Sequence, residues 1–179
     1  MSLRVERLAL AVCVCPVAFA RAGDVVIDFE QAVIGKPVQS WTDQGVRFEL
    51  AGPPAHSKAA GRITFFPHLA TNHKGILNAM ATEQAIPVRA TFPAPVSGVT
   101  VVFWGSTGCP VLLEALDDKG QVVDHVSLAA VPGRKAPADP VPFVQLSVKA
   151  PAIAAIRFSG PRDGEFLAAD EVRFTTVAP

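Results

Sequence analysis

The sequence predicts an all-β chain, an antiparallel sandwich or jelly roll of about nine short strands. Three observations carry this. Short runs rich in Val, Ile, Phe and Thr follow one another from residue 24 to residue 176, several with apolar and polar residues alternating. Between them stand 13 Gly and 16 Pro in 179 residues, a density suited to frequent turns and unsuited to helices. No window of comparable length shows the 3.6-residue period of an amphipathic helix.

The elements follow in order. Residues 24–30 (DVVIDFE) alternate and open the series. Residues 45–50 (GVRFEL) follow the turn-like Thr42-Asp43-Gln44-Gly45, and 62–66 (RITFF) form a third candidate. Residues 87–92 (PVRATF) are bounded by Pro87 and Pro93. In 98–104 (GVTVVFW), Val99, Val101 and Phe103 share one face while Val102 and Trp104 share the other. Residues 111–117 and 121–129 flank Asp117-Asp118-Lys119-Gly120, which predicts a hairpin. Residues 143–150, 152–160 and 166–176 complete the set. The one exception is 76–85 (ILNAMATEQA), which fits a short helix or a strand with a turn.

Composition excludes other classes. Half the residues are hydrophobic and 18% charged, unlike a disordered chain. The formal net charge is zero, so nothing points to nucleic acid or an anionic membrane as partner. The N-terminus reads as a signal peptide, residues 1–22: Arg4 and Arg7 precede the apolar run 8–20 (LALAVCVCPVAFA), which ends at the small-x-small sites Ala18-Phe19-Ala20 and Ala20-Arg21-Ala22. The run is shorter than the roughly 20 residues that span a bilayer. Val12 before Cys13 and Pro16 after Cys15 speak against a lipoprotein. The expected product is one domain, residues 23–179, secreted or periplasmic and not inserted in a membrane.

Removing the signal takes Arg4, Arg7, Arg21 and Glu6, which leaves 13 basic and 15 acidic residues of the 16 of each. It also takes two of the three cysteines. Cys109 alone remains, so the domain is expected to rest on its apolar core without an internal disulfide, helped by a metal at most. Cys109 reads as a buried, inert thiol.

Three short motifs carry a resemblance. The opening Ile27-Asp28-Phe29-Glu30 followed by Gly45-Val46-Arg47-Phe48, the middle Val99-Thr100-Val101-Val102-Phe103 followed by 113–120 (LEALDDKG), and the end 156–160 (IRFSG) followed by 169–174 (ADEVRF) are similar to motifs of exported bacterial β-sandwich domains. Such domains occur in PEP-CTERM-type secreted proteins, whose C-terminal sorting anchor is not expected here. They resemble the galactose-binding-like jelly roll of many carbohydrate-binding modules.

The resemblance implies an exported, non-catalytic binding module, with a glycan or cell-surface polymer as partner and a structural calcium ion. In such modules an acid near the first strand and an Asp in the last strand often hold the ion; the matching positions are Glu30 and Asp170. Asp28 and Glu171 are the alternates, because a shift of one residue reverses the strand face. Ordinary surface acids or turn caps are the competing reading. Two other function classes stay open, a small jelly-roll glycan hydrolase or lyase and a structural or adhesive surface component.

Other residue types were weighed against plainer roles. Trp41, in the polar stretch Gln39-Ser40-Trp41-Thr42-Asp43, is the candidate sugar-stacking residue, against a plug at one end of the sandwich. Trp104, in an apolar strand, reads as core. The absence of Tyr argues against a rich stacking surface. His68 and His73 lie in one loop, and with His56 and His125 they read as solvated, since a metal or catalytic site needs convergent ligands. Ser106-Thr107-Gly108-Cys109 lacks the Gly-x-Ser-x-Gly context. Glu49, Glu83, Glu114 and Glu165 cannot be paired across a cleft from sequence, so no catalytic residue is assigned.

The signal reading has a direct check. Intact-mass measurement of the exported protein should show cleavage after Ala20 or Ala22; a mass that retains residues 1–20 contradicts it.

Overall fold

A computed structural model describes residues 23–52, 62–68, 71–79, 86–136, 139–160 and 166–176. Ten strands and no helix occur among them: β1 (Asp24–Ile27), β2 (Ser40–Asp43), β3 (Val46–Leu50), β4 (Ile63–Pro67), β5 (Lys74–Asn78), β6 (Val88–Gly105), β7 (Val111–Leu116), β8 (Val122–Leu128), β9 (Val144–Ser159) and β10 (Leu167–Thr176). All pairings are antiparallel.

The expected all-β class is found, with strand lengths that differ from expectation. Residues 87–92 and 98–104 belong to one 18-residue strand, β6, and 143–150 and 152–160 to one 16-residue strand, β9. These two run through both layers. The first half of β6 pairs with β3 and with the second half of β9. Its second half pairs with β10 and with the first half of β9. The change of partners falls at Pro93 and Pro95, where the β6–β9 register jumps from Thr91 to Val96; Pro151 stands in the matching stretch of β9. Proline has no N–H to give to a ladder, so the ribbon breaks there and turns over.

One layer therefore reads β2-β3-β6-β9-β7-β8 and the other β4-β5-β10-β6-β9, with β1 lying along the same edge of β10 as β5. The core is where the layers face. Phe103 of the second layer meets Phe158 of the first, ring centroids 5.4 Å apart, and Phe92 meets Phe174 at 4.9 Å.

One strand stands where the sequence suggested none, and another begins ahead of the ambiguous 76–85 stretch. Ser40–Asp43 is an edge strand paired with β3, so Trp41 is not in a loop. Lys74–Asn78 pairs with both β4 and β10. Of the ambiguous 76–85 stretch, residues 76–78 are thus strand, and 80–85 lie outside the described residues, as does the expected signal segment 1–22.

The expected hairpin is present. Asp117 closes the tip through its side chain: Oδ1 accepts from the N–H of Lys119 (2.9 Å) and of Gln121 (2.8 Å). Gly120 has φ +77° and open space around its Cα. The cost of a side chain there is conformational, roughly 1 kcal/mol. Gly120→Val should lower the urea midpoint accordingly, with an unchanged slope; an unchanged midpoint contradicts the turn geometry.

Candidate functional site

The second layer has an outer face, and alternation along β6 decides what stands on it. Val99, Val101 and Phe103 point into the core and are fully buried. Trp104 therefore points out, and with Leu77 and Ala168 it forms a second apolar cluster against which Val141 and Phe166 pack. Its neighbours are small for a reason. A Cβ on Gly75 would lie 2.8 Å from the Ala168 Cβ and 2.9 Å from Trp104 Nε1, so only glycine lets the indole settle over β5. Trp104 is buried, as the sequence suggested, and the cluster it belongs to lies on the outer face.

Aromatic rings continue from Trp104 to the surface. Phe166 lies 4.9 Å from it, and Phe66 lies 5.6 Å from Phe166, edge to face. On the other side His68 meets Trp104 at 5.1 Å and Phe143 at 4.5 Å. Between these rings runs an open groove of about 290 Å³ lined by Phe66, Trp104, Ser106, Arg134, Val141 and Phe166. Phe66 is 45% exposed, a large apolar surface left to solvent.

His68 is not a solvated loop histidine; it is 1% exposed. Its Nε2 lies 3.0 Å from the Val141 carbonyl, and its Nδ1 accepts from the Thr71 N–H at 3.3 Å. These partners fit the Nε2–H tautomer. The ring thus ties the stretch before β9, through the Val141 carbonyl, to the end of β4. His73 and His125 are exposed, and His56 lies outside the described residues.

The expected metal residues meet at a different place, a β-bulge in β10. Ala169 faces Phe103 and Glu171 faces Val102, so Asp170 is the extra residue. A bulge re-aims its side chain. At this point the edge of β10 passes from β5 (Ala169 opposite Ile76) to β1 (Val172 opposite Ile27). The turn after β1 enters the gap. Phe29 holds φ +58°, a strained value for a non-glycine residue, with its ring fully buried against Trp41, Phe48 and Phe65.

Glu30 and Asp170 are both brought to His73-Lys74. Glu30 Oε1 accepts from the Lys74 N–H at 3.1 Å, and Asp170 Oδ2 lies 3.5 Å from His73 Nδ1. Asp170 is 7% exposed, and its Oδ1 has no hydrogen-bond partner among the described residues. Burial pushes its carboxyl above the usual range; His73, and further off His68, pull it back, and Glu30 adds to the rise. The alternates point elsewhere: Asp28 Oδ1 accepts from the Glu30 N–H at 3.1 Å, and Glu171 pairs with Arg173.

The donor set was tested against calcium, which takes six to eight oxygens. An orphaned buried carboxylate oxygen and main-chain carbonyls are suitable donors. The carbonyls of Glu30 and Ala32, however, already accept from Lys74 Nζ, the second at 3.1 Å. No group of three or more His, Cys, Asp or Glu suited to a metal occurs among the described residues. A lysine ammonium in the donor set does not fit a calcium ion.

Trp41 lies half-buried among Phe29 (5.4 Å), Phe48 (5.7 Å) and Phe65 (5.3 Å), the end-plug arrangement. It also lines a smaller cleft of about 170 Å³ with Gln31, Val33 and Lys36. Of the carboxylates considered for chemistry, Glu114 is held by Arg157, Nη2 to Oε1 at 3.1 Å, and Glu49 by Arg47 at 2.9 Å. Ser106 Oγ accepts from the Phe166 N–H at 3.3 Å. Glu83 and Glu165 lie outside the described residues. Cys109 is buried, as expected.

No protein-family model matches the chain, and no curated protein sequence matches it. Solved structures similar to it include a mutant of CBM29-2, a family 29 carbohydrate-binding module, at 14% identity over 87% of this chain and 92% of that one, TM-score 0.45. BiXyn10A CBM1 in its apo form is 12% identical over 86% and 97%, TM-score 0.45. A cleaved adhesin domain of Lys-gingipain from Porphyromonas gingivalis is 13% identical over 87% and 99%, TM-score 0.42.

The bulge carries a pH prediction. With the folded-state carboxyl raised, the native chain keeps a proton that the unfolded chain releases. This contribution favours the fold at pH below the ordinary Asp range and is lost as pH rises through the raised value. Asn imitates the protonated acid. The stability of Asp170→Asn relative to the unaltered chain should therefore grow between about pH 4 and pH 7, read from urea midpoints. A difference that stays flat with pH contradicts the assignment.

Proposed function

We propose that this chain is an exported, non-catalytic carbohydrate-binding module whose sugar-binding surface is the Phe66–Trp104–Phe166 groove. The observation that carries the proposal is the groove itself, with partly exposed rings on a rigid sheet face and Ser106 and Arg134 in the same lining. A pyranose has an apolar C–H face and a rim of hydroxyls. The rings suit the face, and the guanidinium and backbone groups suit the rim. The signal-like pattern of residues 1–22 and the all-β fold support this role. Among the described residues, Glu114 is held by Arg157, Glu49 by Arg47, and Ser106 Oγ accepts from the Phe166 N–H.

Size sets the affinity. About 290 Å³ is at the lower end of ligand pockets. A single sugar ring of about a dozen heavy atoms, at roughly 0.3 kcal/mol each, yields about 4 kcal/mol, a millimolar Kd. Tighter binding requires a chain of sugars that extends beyond the groove. Trp41 is the second reading, favoured by the smaller cleft on its open side.

The test is a glycan-array screen of residues 23–179, followed by calorimetric titration of any oligosaccharide found. Phe66→Ala removes an exposed ring and should weaken binding about tenfold, or 1.4 kcal/mol, while Trp41→Ala leaves the affinity of the folded protein unchanged. Loss with Trp41→Ala and none with Phe66→Ala moves the site to the Trp41 cleft. An array on which no glycan binds overturns the proposal.

A further inference from the structure

We infer that the gap at the β10 bulge is a cation site occupied by the chain's own Lys74, which takes the place a structural calcium ion would hold. The turn after β1 is built to present oxygens. Its tight closure, with the Ala32 N–H donating to the Phe29 carbonyl at 2.9 Å, turns the carbonyls of Glu30 and Ala32 toward β5. Both accept from Lys74 Nζ. The Glu30 carboxylate closes the arrangement from the side by accepting the Lys74 main-chain N–H. Two converging carbonyls beside a carboxylate are hard-cation donors, and an ammonium with three N–H groups satisfies them at this partly buried position.

Lysine and calcium exclude each other here. An ion in contact with the same carbonyls would sit within van der Waals distance of a like charge. The lysine does the tying that an ion would do. It fastens the turn after the first strand to β5, and β5 is paired with β10 next to the bulge. Asp170 joins the same cluster through His73, the neighbour of Lys74 in sequence.

Thermal unfolding of residues 23–179 tests this. The melting temperature of the unaltered chain should be the same in millimolar calcium as in chelator, and native mass spectrometry should show the bare chain mass after dialysis against calcium. Lys74→Met keeps the length of the side chain and removes its charge and donors; its melting temperature should fall by about 4–8 °C. A melting temperature of the unaltered chain that rises with calcium and falls with chelator, a bound calcium in the mass spectrum, or a Lys74→Met chain that melts unchanged each overturns the inference. The first two readouts need no variant, so the inference stays testable even where Lys74→Met does not fold.

Discussion

Two strands belong to both sheets, and the rest of the molecule hangs from them. β6 and β9 stay paired along most of their length, and at Pro93, Pro95 and Pro151 the ladder between them is interrupted and the ribbon turns over. Without the break, alternation along β6 would keep one set of side chains on one face of one sheet. With it, Val88 and Ala90 face the core from one layer, and Val99, Val101 and Phe103 face it from the other. The same ribbon lets Phe103 and Phe158 meet although they lie on different strands and in different layers.

The outer face of the second layer follows from this geometry. Once Val99, Val101 and Phe103 fill the core from the second half of β6, Trp104 has to leave it. A large ring on an outer face is costly in water unless covered, and the chain covers it with Phe166, Val141 and His68. The cover is incomplete. Phe66 and Phe143 remain exposed at its rim, and the groove lies between cover and sheet. The groove is thus a consequence of where the core ends.

Much of the fold was legible in the sequence because the signals were local. The alternation of 98–104 separated Val101 from Trp104 correctly, and Asp117-Asp118-Lys119-Gly120 marked its turn. β2 was missed, and β5 was left between helix and strand, because their pattern depends on neighbours. Ser40-Trp41-Thr42-Asp43 is polar and strand-like only because β3 supplies partners. Lys74-Gly75 reads as a turn, yet the glycine is needed under Trp104. The groove was illegible for the same reason, since Phe66, Trp104, Arg134 and Phe166 come from four separate stretches. Trp104 facing away from Val101 was the one available clue. Glu30 stands against the Lys74 N–H and Asp170 against His73, and Lys74 carries no sequence mark of its role.

The bulge at Asp170 did leave a trace. In 167–174 (LAADEVRF) the core residues are Leu167, Ala169, Val172 and Phe174. The spacing is two, then three, then two. A regular strand cannot put both Ala169 and Val172 on one face. The three-residue step therefore demands one extra residue in the strand, and the demand falls on Asp170 or Glu171. Of these, Glu171 faces Val102 in the ladder and pairs with Arg173 on the surface. Asp170 is left to turn into the gap between β1 and β5, where a carboxylate loses water and gains only His73 as a close partner. The apolar pattern of the last strand thus forces an acid into a buried position. The neighbouring side chains, His73 beside it and Lys74 on the Glu30 turn, stand where that constraint places them.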